Sequence, residues 1–188
     1  MTGRGRFWVV GTPGAGKSTL ARQLAAALDV RHVELDDPFW AAGWQPEDPD
    51  TFLGAVARLL GGPAWIADGQ YDSAVAAHAD RAHAVVWVDP PLWVSLPRLV
   101  RRTLSRAWRR EPMWSAGNTE SWWHALGSQS VIWYALSVHR AQRRANEELF
   151  RRLAPLDVAL IRVRRRPHAD TLADVLRAAA AGRKGVHR

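Results

Sequence analysis

The segment Gly11-Thr-Pro-Gly-Ala-Gly-Lys17-Ser18 constrains this chain more than any other stretch, because it fits the spacing G-x-x-x-x-G-K-[ST] at every position. The apolar run Phe7 to Val10 precedes it, and Lys17 to Leu28 follows with Leu20, Leu24 and Leu28 every fourth residue on one helical face. Strand, glycine turn and helix in that order aim backbone N–H groups and the positive end of a helix at one anion. Lys17 adds a point charge for the outer phosphates, and the Ser18 hydroxyl is a magnesium ligand by type. Gly11, Gly14, Ala15, Gly16, Lys17, Ser18 and Thr19 are therefore expected to hold ATP with Mg²⁺.

The remaining pattern alternates strands with helices. His32 to Leu35 and Trp65 to Ala67 read as short strands, with a helix from Asp50 to Leu60 between them, closed by Gly61-Gly62-Pro63. Ala84 to Val88 is apolar throughout, as a strand buried on both faces requires, and stops at Asp89-Pro90-Pro91. Long helices are expected over Leu92 to Arg110 and Ser121 to Leu153, separated by Glu111 to Asn118 with its Pro112 and Gly117. Val158 to Val163 reads as a last strand and Asp170 to Ala181 as a closing helix. Crossover connections of this kind predict an α/β fold with a parallel sheet between two helical layers. A length of 188 residues predicts one domain over residues 1–182, with 183–188 a disordered tail.

Composition narrows the function classes. At 47% hydrophobic and 23% charged residues the chain is outside the disordered range. No run approaches the roughly 18 apolar residues that span a bilayer, and the first residues lack a signal-peptide core, so a cytoplasmic protein without a membrane partner is expected. The absence of cysteine excludes disulfides, thiolate metal sites and cysteine nucleophiles, and the seven histidines lack metal-ligand spacing. A formal charge of +8, carried mostly by arginine, attracts ATP, phosphorylated metabolites and nucleic acid alike. Eleven tryptophans against four phenylalanines and two tyrosines make tryptophan the main aromatic filler of the core, or the lining of a cleft.

Phosphoryl transfer also needs a group to deprotonate the acceptor, a carboxylate for the magnesium shell and cations for the transferring group. Asp36 and Asp37 follow the second strand, where α/β folds place ligands; capping of the next turn is the alternative use of either. Two carboxylates compete for magnesium, Asp68 after Trp65-Ile-Ala and Asp89 after the longer run Ala84-Val-Val-Trp-Val, and pattern alone favours Asp89. Arg98, Arg102, Arg106 and Arg110 recur every fourth residue on one helical face, which is either a phosphate clamp or a solvated stripe. Asn118 or Ser121 suits the N-cap of the second long helix, with Glu120 in its first turn.

Taken together, Glu34-Leu-Asp36-Asp37-Pro-Phe-Trp40 with Gly43-Trp44, Ile66-Ala-Asp68-Gly69-Gln70-Tyr71, Trp87-Val-Asp89-Pro-Pro, the arginine helix and Gly117-Asn118-Thr-Glu120-Ser121-Trp122 resemble adenylate-kinase-like P-loop kinases. Within these the likeness is to small bacterial proteins labelled DNA topology modulation proteins, over roughly residues 7–150. The resemblance implies the nucleoside and nucleotide kinase type of fold, sheet order 2-3-1-4-5, with a helical lid at about 101–122. That order sets the Asp68 strand beside the phosphate-loop strand, so the resemblance, unlike the pattern, favours Asp68 for magnesium. It also implies that Arg102 and Arg106 clamp phosphates on closure. The Asp-Asp-Phe-Tyr stretch of uridine kinases is similar to Leu35-Asp36-Asp37-Pro-Phe-Trp40, which implies that Asp36 is the acceptor-side base, with Asp37 in reserve. Gln70 stands where the family usually has asparagine, and no Phe-Pro-Arg follows Asp68-Gly69, which argues against AMP as acceptor.

The expected function is an ATP-dependent phosphotransferase acting on a small acceptor, such as a nucleoside, nucleotide or other metabolite, held between Asp36 and Asp37, Trp40, Trp44 and Tyr71. A nucleic-acid-associated ATPase and a nucleotide-sensing regulator are the alternatives, although no helix-turn-helix or zinc finger is present. The sequence leaves the oligomeric state open.

Overall fold

The computed structural model describes residues 3–109, 112–119, 131–165 and 167–182, with the side chains of 131–135 excepted. Five parallel strands form the central sheet: β1 (Gly5–Val10), β2 (Arg31–Glu34), β5 (Ala64–Asp68), β6 (Ala84–Val88) and β9 (Ala159–Val163). They lie in the order β2-β5-β1-β6-β9, which is 2-3-1-4-5 when only these strands are numbered, as expected. The helices are α1 (Lys17–Leu28), α2 (Asp36–Phe39), α3 (Pro49–Leu59), α4 (Asp72–His78), α5 (Leu92–Arg109), α6 (Val131–Leu153) and α7 (Ala169–Gly182).

Strand alternation divides the core into two layers. Trp8, Val10, Trp65, Ala67, Val85 and Trp87 face one way and pack with residues of α3, α4 and α6. Phe7, Val9, Ile66, Val86 and Val88 face the other way, toward α1 and α7. Trp8, Trp65 and Trp87 are at most 1% exposed, so tryptophan does supply the bulky core here. Burial of an indole removes enough apolar area for about 5 kcal/mol of transfer free energy each. Asp48 caps α3 by accepting from the N–H groups of Asp50 and Thr51, and Pro49 sits at its first turn.

Four short elements were not anticipated, because none is long enough to show a period: α2, α4, and the hairpins β3 (Trp40–Ala41) with β4 (Gln45–Pro46) and β7 (Pro112–Met113) with β8 (Asn118–Thr119). Asn118 is consequently not an N-cap; it pairs with Met113 inside the second hairpin. Helix α5 also continues through Pro97. Arg110, Glu120 and Ser121, the start expected for the second long helix, and the tail 183–188 lie outside the described residues. Among the described residues no helix is long and apolar enough to cross a membrane.

Candidate nucleotide and acceptor site

The turn between β1 and α1 is shaped by its glycines. Gly16, at φ 98°, is the N-cap of α1, which has no side-chain cap and no acidic residue in its first turn, so no capping side chain competes with an anion for its leading N–H groups. Gly14, at φ 75°, packs so closely on α5 that a Cβ would sit 2.4 Å from the Ser95 carbonyl oxygen. The Gly11 N–H donates to Gln70 Oε1 at 2.9 Å, which ties the loop to the end of β5.

Lys17 opens α1, and its Nζ donates to the Thr12 carbonyl at 3.3 Å, curling back over the loop. Burial holds its pKa below the ordinary lysine value, opposed by the carboxylates of Asp68, Asp36 and Glu34, while Arg102 lowers it further. Those groups define the site: sequence reasoning selected all of them except Glu34, whose cue was its position two residues before Asp36 at the same strand end.

The two candidate magnesium carboxylates differ sharply. Asp68 aligns with Val9 on one side and Glu34 on the other, so it projects on the α1 face of the sheet with the start of the phosphate loop. It is 2% exposed, and neither carboxylate oxygen has a hydrogen-bond partner; His32 Nε2 lies 3.7 Å from Oδ2, and Lys17 acts on it electrostatically. Asp89 is 6% exposed but fully engaged, with Arg143 Nε 3.0 Å from Oδ1 and Arg162 Nη2 2.6 Å from Oδ2. Arg162 is positioned over the Trp87 ring at 3.9 Å. A buried carboxylate without a partner is costly, and a hard cation satisfies it; Asp68 with the Ser18 hydroxyl fits such a role, whereas Asp89 is already paired with two arginines. Among the described residues no group of three or more His, Cys, Asp or Glu could hold a metal, so an ion here needs phosphate oxygens to complete its shell.

On the acceptor side, the Tyr71 hydroxyl donates to Asp36 Oδ1 at 2.5 Å, leaving the second oxygen of Asp36 available. Phe39 joins Tyr71, Trp40 and Phe52 through ring contacts of 4.3, 4.9 and 5.2 Å. Trp40 meets Trp44 at 5.7 Å, and Trp44 meets Trp114 of the β7–β8 hairpin at 5.6 Å. The hairpin is pinned to this cluster: Asn118, 5% exposed, accepts from the Trp44 N–H at 3.1 Å and donates to the Ala41 carbonyl at 2.9 Å. Asp37 Oδ1 accepts from the Ser115 N–H at 2.6 Å. No local sequence signal marks this docking, since the partners are more than 70 residues apart.

Of the arginine stripe, Arg98 lines a cavity of about 160 Å³ with Ala15, Gly16, Thr19 and Arg164. Arg102 acts on Lys17. Arg106, one turn further on, is half-buried and makes no hydrogen bond or ion pair among the described residues.

No protein-family model matches the chain, and no curated protein sequence does either. Among solved structures, shikimate kinase from Acinetobacter baumannii in complex with shikimate superposes with a TM-score of 0.57 at 16% identity, covering 98% of this chain and 96% of that one. Shikimate kinase from Aquifex aeolicus gives 0.55 at 13% identity, covering 96% and 99%. At such identities the likeness is one of fold, and the fold this chain shares with them is that of the P-loop kinases.

Proposed function

We propose that this protein is an ATP-dependent phosphotransferase acting on a small hydroxyl-bearing molecule, in a cytoplasmic setting. The observation that carries the reading is the pairing of an uncapped helix N-terminus and Lys17 with the orphaned carboxylate of Asp68. The loop Gly11 to Thr19 grips the phosphates through its N–H groups, and the cavity beside Arg98 and Arg164 takes the nucleoside end. Ser18 and Asp68 hold the magnesium ion. Bound Mg·ATP supplies the γ-phosphoryl group, and ADP leaves.

Asp36, oriented by Tyr71, takes the hydroxyl proton of the acceptor as that oxygen bonds to phosphorus, and Lys17 meets the charge on the leaving side. Residues 101–122 serve as the lid, with Arg102 and Arg106 as its phosphate clamp and the hairpin as its tip. Trp40, Trp44 and Tyr71 give the acceptor an aromatic wall. The narrower likeness to DNA topology modulation proteins rests on the segments quoted above, and the label names no chemistry.

Isothermal titration with Mg·ATP and a transfer assay with labelled ATP test the proposal. Lys17→Ala is expected to abolish both signals, and full transfer by Asp36→Asn would remove the base assignment. One observation favours a second reading: α5 exposes Trp93 and Trp108 with Arg98, Arg101 and Arg109, a surface suited to a nucleic acid strand. ATP hydrolysis that is accelerated by DNA and falls steeply with salt would support it.

A further inference from the structure

Asp68 is not alone among the buried polar groups at the end of β5. On the neighbouring strand, β2, His32 aligns with Ile66 and Glu34 with Asp68, so His32 and Asp68 stand diagonally across the strand pair on one face of the sheet. The His32 side chain is 19% exposed and that of Asp68 2% exposed, with Nε2 of the first 3.7 Å from Oδ2 of the second. Nε2 is buried and makes no hydrogen bond, and the same holds for both oxygens of Asp68. Two orphaned groups of complementary type thus face each other across a gap slightly too wide for a hydrogen bond.

Lys17 does not fill this role. It acts on Asp68 through its charge, yet its Nζ is hydrogen-bonded to the Thr12 carbonyl and to neither carboxylate oxygen. Charge alone leaves the carboxylate free to turn about its Cβ–Cγ bond. Among the described residues His32 is the sole basic side chain within 4.0 Å of either oxygen. A carboxylate that serves a metal ion is ordinarily held in orientation by a hydrogen bond to the oxygen turned away from the ion. Closing the gap to His32 needs a shift of under about 1 Å.

We propose that His32 is a positioning residue for the magnesium ion, its Nε2–H donating to Asp68 Oδ2 and leaving Oδ1 for the metal. This rests on the phosphotransferase reading above, in which Asp68 serves the magnesium shell, and adds the side chain that orients it.

Calorimetry on the full-length protein measures Mg²⁺ affinity in the presence of a non-hydrolysable ATP analogue, and binding of the analogue alone in EDTA. His32→Phe keeps a ring without a donor and should weaken Mg²⁺ at least about tenfold while leaving metal-free analogue binding unchanged. His32→Gln, whose amide reaches as far as Nε2, should recover most of the loss. On an Asp68→Asn background His32→Phe should have little further effect, since the group it orients is gone. If His32→Phe does not fold, His32→Leu carries the same expectations. Unchanged Mg²⁺ affinity in the folded variant overturns the inference, as does an equal loss in His32→Gln or an undiminished loss on the Asp68→Asn background. Analogue binding that is indifferent to Mg²⁺ in the unaltered protein overturns the magnesium assignment and this inference together, sparing the phosphate loop. Absence of analogue binding under every condition overturns the phosphotransferase reading itself.

Discussion

The ends of β5 and β6 flank the phosphate-loop strand on either side, and each finishes in a buried aspartate put to the opposite use. Asp89 is clamped by Arg143 and Arg162, so its charge is spent on joining α6 and β9 to the sheet. Asp68 has no such clamp, and its two oxygens are left without partners. A chain selected for stability alone would not leave the second carboxylate unsatisfied, because an unpaired buried charge costs several kcal/mol. Under the proposed function, structure and chemistry are divided between two residues that look alike in sequence.

Substitutions can break that comparison. The largest effect is expected at Asp89→Ala, which strands two guanidinium groups and should lower unfolding free energy by about 3 kcal/mol in denaturant titration. Loss of less than half that amount would show that Asp89 is not structural. Asp68→Asn should do the reverse, leaving the melting temperature of the ligand-free protein equal or higher while cutting kcat by about 10²-fold and removing Mg²⁺-dependent thermal stabilisation. Equal destabilisation by both substitutions would erase the distinction.

Asn118→Ala leaves the Trp44 N–H and the Ala41 carbonyl unpaired at the base of the hairpin. It should raise the KM for the acceptor severalfold with little change for ATP, and lower stability by about 1–2 kcal/mol. An unchanged acceptor KM would detach the hairpin from the acceptor site. The smallest effect concerns Lys17. Its folded pKa lies below the unfolded value, so between the two the unfolded chain binds more protons and stability rises with pH. Lys17→Met removes that penalty, and the ligand-free variant should melt higher at neutral pH. Its pH dependence should also flatten on the alkaline side, and a lower melting temperature would contradict the assignment.

Much of this was legible in the chain because the signals were local. The loop from Gly11 to Ser18 and the runs at Ala84 to Val88 and Leu20 to Leu28 carry their geometry in their own spacing, and the observed elements fall within a residue or two of those expected. The choice between Asp68 and Asp89 was not local. Pattern favours Asp89 because its strand is longer and wholly apolar, whereas the arginines that occupy it, Arg143 and Arg162, arrive from more than 50 residues away. Asn118 failed for the same reason: its short polar side chain suits a cap in sequence, yet in the fold it bridges to residues 41 and 44. Glu34 was passed over because a single acidic residue at a strand end has no periodic mark.

The hydrogen bond from the first loop glycine to Gln70 gives the two proposed substrate positions a direct route for coupling. Gln70 adjoins Tyr71, whose hydroxyl holds Asp36, so under the proposed function a shift of that tyrosine on acceptor binding would be felt at the loop from Gly11. Thermodynamic reciprocity then applies: the factor by which one substrate tightens or loosens the other must be the same read in either direction.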